Sequence, residues 1–175
     1  MKLANIIYRL KQFGLATFSR PSVIQLHMAR QLLTAPEYEF FQQLQPSEQA
    51  HSLRVCSDLQ AGGNTHPDLL RAALLHDIGK IRYPLRLWER VWIVLGGALF
   101  PKVSAGWAGG KQTFWRRPFT AKHRHAAWGA EIVEEIGSSP LTVRLIRRHE
   151  EQGIGDMKTI ENELLAALQL ADNQN

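Results

Sequence analysis

Apolar positions recur along the chain at steps of three and four residues, the spacing of one face of an α-helix, and nowhere alternate convincingly at period two. Punctuation divides this pattern into elements. Pro21 opens a segment running toward Leu33, and Pro36 another toward Leu44. Ser47 stands as an N-cap before EQAHSLRVCSDLQ, which AGGN terminates. Pro67 with Asp68 starts the next helix, and Gly79 follows its end. Pro84 opens LRLWERVWIVL, Thr120 precedes a helix through Ile136, Pro140 opens LTVRLIRRHEE, and a last helix covers Ile160 to Ala171. The pattern predicts an all-α fold, a helical bundle of about seven to eight helices.

Six polar side chains interrupt the apolar stripes. In AALLHDIGK, residues 72 to 80, Leu70, Ala73 and Leu74 lead to Asp77, with His76 beside it through Leu69 and Ala73. His51 lines up with Val55 and Leu59, and His125 with Trp128, Gly129, Ile132 and Ile136. His149 follows Leu145 and Ile146, and Asp172 follows Leu165 and Leu168. A core imidazole or carboxylate must be paired, hydrogen-bonded or metal-bound, because burying it bare costs several kcal/mol. Any one of these has a plain structural explanation, such as a hydrogen-bonded core histidine. Four His and two Asp on the inward stripes of five different helices make a nitrogen and oxygen donor set suited to Fe, Mn, Zn, Co or Ni.

Composition narrows the picture modestly. At 175 residues the chain can bury a real core, and 45% apolar with 21% charged residues is ordinary for a globular protein. The formal net charge of +5 favours anionic partners. Cys56 is the single cysteine, so an internal disulfide and a Cys-rich metal site are both excluded. A reducing, cytoplasmic setting is the expectation.

The segments His51 in QAHSLRV, His76 and Asp77 in LLHDIGK, and Asp172 in LQLADN resemble the HD superfamily of metal-dependent phosphohydrolases, in the subset whose motif reads H-D-I-G. The resemblance spans about residues 36 to 175 and implies an HD-type helical domain. Residues 1–35 then form an N-terminal amphipathic helical extension, and about 84–119 a Trp- and Gly-containing insertion. Relatives with two-metal sites carry further histidines. HAAWGAEIV supplies His125, with Ala126 where Pro is common, and IRRHEE supplies His149, with Arg148 where a second histidine would complete a doublet. The branch that cleaves cyclic di-GMP bears a Gly-Tyr-Pro signature, which EEQGIGDM lacks.

What the resemblance implies is a site of one or two divalent ions. The ligands are His51, His76, Asp77 and Asp172, with Asp77 bridging to a second ion on His125 and His149. Such a site makes water acidic enough to attack phosphorus near neutral pH and neutralises phosphate oxygens. The expected substrate is a nucleotide, cyclic nucleotide or similar small phosphoester. Lys80 is the leading candidate for a phosphate contact, against a role complementing a helix C-terminus. Lys122, Arg124, Arg144, Arg147 and Arg148 form a candidate anion-attracting rim, most of them on solvated faces. His123 lies on a mixed face, His66 in a loop and His27 off its apolar stripe, so none of these is expected to be a ligand.

Two segments leave alternatives open. The N-terminal MKLANIIYRLKQFGLATFSR lacks a continuous apolar h-region; it reads as an amphipathic helix packed on the domain, with peripheral membrane contact the alternative. No run is long and apolar enough to span a bilayer. The connection with Trp88, Trp92, Trp107 and Trp115 reads first as packing over the domain, and otherwise as a lid over the site or a membrane-dipping edge. At the level of function, the alternative to an enzyme is an HD-fold binding or sensing module that has lost catalysis. Specific nucleic-acid binding is not expected, because no basic stripe is interleaved with aromatics.

Overall fold

A computed structural model describes residues 19–86, 88–89, 91–93, 117–153 and 159–175. Among these the regular structure is entirely helical: α1 (Val23–Leu32), α2 (Ala35–Phe41), α3 (Pro46–Ala61), α4 (Pro67–Leu75), a 3-10 turn (Ile78–Arg82), α5 (Arg117–Glu135), α6 (Pro140–Arg148) and α7 (Ile160–Gln174). The all-α expectation holds. The N-terminal amphipathic helix and most of the Trp-containing connection lie outside the described residues. Among the described residues no helix is long and apolar enough to cross a membrane.

The caps show why the chain breaks where it does. Ser22 and Thr34 cap α1 and α2 with capping boxes completed by Gln25 and Glu37. Ser139 and Thr159 accept from the third residue of α6 and α7. Ser47 is not the cap of α3. The helix begins one residue earlier at Pro46, whose fixed φ suits the first helical position, and Gln45 caps it with Glu48 reaching back to its amide. Helix α5 also starts ahead of Thr120, which is buried inside its first turns.

Helix α4 is the hub. Leu69, Leu70, Ala72, Ala73, Leu74 and Leu75 are all buried, leaving Arg71 as the polar exception in that run. A helix apolar on nearly every side must be surrounded, and α4 packs against α1, α2, α3, α6 and α7. Each leucine buried this way contributes roughly 1.5–3 kcal/mol. Ala29 and Leu33 join the same core, which also takes in Leu53, Val133, Leu145, Ile146, Leu165 and Leu168. Polar ties set the helix ends: Asp68 accepts from Ser139 and Thr142 at the start of α6, and buried Glu37 accepts from Ser138 at 2.7 Å.

After Leu75 the chain tightens. His76 is the C-cap of α4, Asp77 precedes the 3-10 turn, and that turn lies along α5. The α-helical stripe expected to continue through Asp77 therefore stops two residues short of it.

Candidate metal centre

The bundle brings its six donors to one place. His51 comes from mid-α3, His76 and Asp77 from the end of α4, His125 from α5, His149 from the C-cap of α6 and Asp172 from the last turns of α7. They fall into two groups, His51–His76–Asp172 and Asp77–His125–His149, each able to offer ligand atoms within 4.8 Å of one another. The groups are contiguous. His76 and His149 have ring centroids 5.1 Å apart, and His76 Nε2 lies 3.6 Å from Asp77 Oδ2 and 3.5 Å from Asp172 Oδ1. Within the first group His51 Nε2 is 2.8 Å from Asp172 Oδ1. Within the second, His125 Nε2 is 3.4 Å from Asp77 Oδ1 and 3.2 Å from His149 Nε2.

Three of the histidines are held in the same way. His76 Nδ1 donates to the carbonyl of Ala73, His125 Nδ1 to that of Lys122 and His149 Nδ1 to that of Ile146, each three residues back. This fixes the tautomer and turns each Nε2 into the cluster, the arrangement that second-sphere bonds impose on metal-ligating imidazoles. A buried nitrogen needs a partner, yet His76 Nε2 has no hydrogen-bond partner. The arrangement fits a cation: four imidazole nitrogens and two carboxylates, with a buried lone nitrogen among them.

Electrostatics agree. Burial opposes charge on His76, but Asp77 and Asp172 outweigh it and raise its pKa to about 9, so the site favours positive charge there. Burial also opposes ionisation of Asp77; Lys80, His76 and His125 nevertheless hold its carboxyl well below the usual range. Asp172 is likewise held down against burial, by its 2.8 Å hydrogen bond with His51 and by the charge of His76, whose Nε2 lies 3.5 Å away. Burial, then the neighbouring His76 and His125, push His149 down to about 3, which leaves its ring neutral with a lone pair to donate. Burial lowers His125 as well.

Lys80 lies in the last turn of the 3-10 helix, beside the donor Asp77. Its Nζ donates to Asp77 Oδ2 at 2.5 Å, so the ammonium is the counter-charge of a donor carboxylate. The sequence also gave no pointer to Glu150, whose Oε1 lies 3.7 Å from His125 Nε2. Arg148, at the broken doublet, faces away from the cluster. It bonds Glu151, Glu161 and Asn162, fastening α6 to the start of α7. Of the lower-ranked histidines, His27 meets Gln31, His66 lies 3.9 Å from Asp68, and His123 is exposed beside the site.

Comparison with characterised proteins and with solved structures gave no match. The HD domain family matches residues 49–173, a span that begins just before His51 and ends just past Asp172. The chain belongs to the HD domain family, a family of metal-dependent phosphohydrolases.

Proposed function

We propose that this protein is a metal-dependent phosphohydrolase acting on a small phosphorylated substrate, a nucleotide or a similar phosphoester. The observation that carries the reading is the pair of adjoining donor groups around His76 and Asp77, with three imidazoles pinned through Nδ1 so that Nε2 faces inward. A retired binding module has no chemical reason to keep six donors and their orienting bonds together. His51, His76 and Asp172 would hold one divalent ion, and His125 and His149 a second, with Asp77 between them. The ions when bound would supply a water of lowered pKa and positive charge for the phosphate oxygens.

The chain's own residues do the rest. Lys80 keeps Asp77 ionised and fixes its orientation. The carbonyls of Ala73, Lys122 and Ile146 stop three rings from turning. Leu75 and Ile78, the chain neighbours of His76 and Asp77, and Ile146, whose carbonyl holds His149, are fully buried. In the reaction, water oxygen adds to phosphorus, the bond to the leaving oxygen breaks and a water proton ends on the leaving group. The products are an alcohol and a phosphate monoester or inorganic phosphate.

A panel of mononucleotides, cyclic nucleotides and sugar phosphates, assayed by phosphate release and chromatography after reconstitution with Mn, Fe, Co, Ni or Zn, tests the reading. Turnover of at least one class, abolished in Asp77→Ala, is expected. Full metal loading with no turnover of any class would favour the binding module.

A further inference from the structure

A cavity of about 420 Å³ opens beside the cluster, within the size range of small-molecule sites. Helix α5 contributes Lys122 and His123, the end of α6 contributes His149, and α7 contributes Gln169, Asp172 and Asn173. Asp172 and His51 are the most accessible donors, with side chains 29% and 22% exposed, whereas those of His76, Asp77 and His125 are at most 5% exposed. Of the six donors the cavity touches Asp172 and His149, on the side of α5 and α7.

The charges around it are unequally engaged. Glu151 is bonded by Arg148, and Glu150 faces His125. The other cations of the expected rim are also occupied: Arg144 pairs with Glu161, Arg147 with Glu134, and Arg124 stacks over Trp128. Lys80 is bound to Asp77. Lys122 is different. Its carbonyl orients His125, its side chain is exposed in the cavity, and its ammonium forms no ion pair with any described residue.

We infer that Lys122 is a specificity-determining residue of this site, binding a phosphate oxygen of the substrate in the cavity between α5 and α7. The inference rests on the phosphohydrolase reading and adds to it a division of labour between two lysines. Lys80 holds the donor Asp77, and Lys122 holds the phosphorylated ligand. Gln169 and Asn173 line the same cavity; their amide nitrogens donate to the carbonyls of Arg148, Glu151 and Gln169, which leaves the carboxamide oxygens as acceptors for the remainder of the substrate.

The test uses inorganic phosphate as the probe and the full chain, metal-free and metal-loaded. Calorimetry gives the dissociation constant for wild type, Lys122→Ala and Lys122→Arg, and mass spectrometry follows acetylation of Lys122 with and without phosphate. A lost charged hydrogen bond is expected to weaken phosphate binding of the loaded Lys122→Ala protein about tenfold or more. Lys122→Arg should retain most of the affinity, metal content should be unchanged, and phosphate should shield Lys122 from acetylation. Equal phosphate affinity in Lys122→Ala, no binding by wild type, or acetylation indifferent to phosphate would each overturn the inference. Failure to take up metal would instead count against the phosphohydrolase reading. In that case shielding of Lys122 in the metal-free protein still decides whether the cavity binds phosphate.

Discussion

Gly79 and Gly129 meet backbone to backbone. A Cβ on Gly79 would lie 2.6 Å from the amide nitrogen of Gly129 and 2.8 Å from the carbonyl carbon of His125, and would overlap that residue's carbonyl oxygen. The contact seats the 3-10 turn after Asp77 directly on α5, so it fixes the distance between the two elements carrying Asp77 and His125. Only a residue without a side chain permits this approach.

Gly79→Ala is therefore expected to push the turn off α5. The loss should be at the upper end of the roughly 1–3 kcal/mol typical of overpacking, because the atoms it meets are backbone. Gly129→Ala meets Gly79 N, Ile78 Cγ2 and Ile146 Cγ2 at a milder 3.2 Å, and it gains up to about 1 kcal/mol of helix propensity. Denaturant unfolding of the two variants should rank Gly79→Ala clearly below Gly129→Ala. The reverse order would mean that the turn does not rest on α5 as described.

Cys56 is fully buried in the core, and burial pushes its thiol up from 9.0 to about 12. The native protein should resist iodoacetamide at pH 8, with modification appearing only as the chain unfolds. The folded pKa exceeds the unfolded one, so the thiol's contribution to stability is complete below about pH 9 and is lost as pH rises from there toward 12. The stability advantage of wild type over Cys56→Ala should thus be constant below about pH 9 and shrink as pH rises from there toward 12. Rapid alkylation of folded protein at pH 8 would contradict the burial.

Arg148 stands where a second histidine would complete a doublet, and its side chain pairs with Glu151 and Glu161. Because these pairs are half-exposed, Arg148→Ala should cost about 1 kcal/mol, read as a small fall in melting temperature, with metal content intact. Arg148→His should not raise the metal content above wild type. An extra equivalent in that variant would show that position 148 can reach the cluster after all.

Much of this was legible along the chain. Helical phase alone put His51, His125, His149 and Asp172 on inward stripes, and the structure brings them together with His76 and Asp77. What phase could not supply were the contacts between elements distant in sequence. The end of α4 at Leu75 and the tight turn that follows depend on Gly129, fifty residues beyond Gly79. The capture of Lys80 by Asp77 depends on the same turn, which brings a residue three positions on back toward the carboxylate. At the start of α3, a Pro at the first helical position competed with a good capping serine. The proline won because its fixed φ and missing amide suit that position. The engagement of Arg144 and Arg148 by Glu161 spans a connection that carries no periodic signal.

The most direct measurement is metal content of anaerobically purified and reconstituted protein, compared across wild type, His51→Ala, Asp77→Ala and His149→Ala. Two adjoining donor groups should bind one to two equivalents of transition metal in wild type. His51→Ala and His149→Ala should each lose only part of the metal, because each belongs to a different group, and Asp77→Ala should lose most of it. A wild-type protein that stays empty after reconstitution, or variants that retain the full complement, would contradict a metal centre built on these six residues.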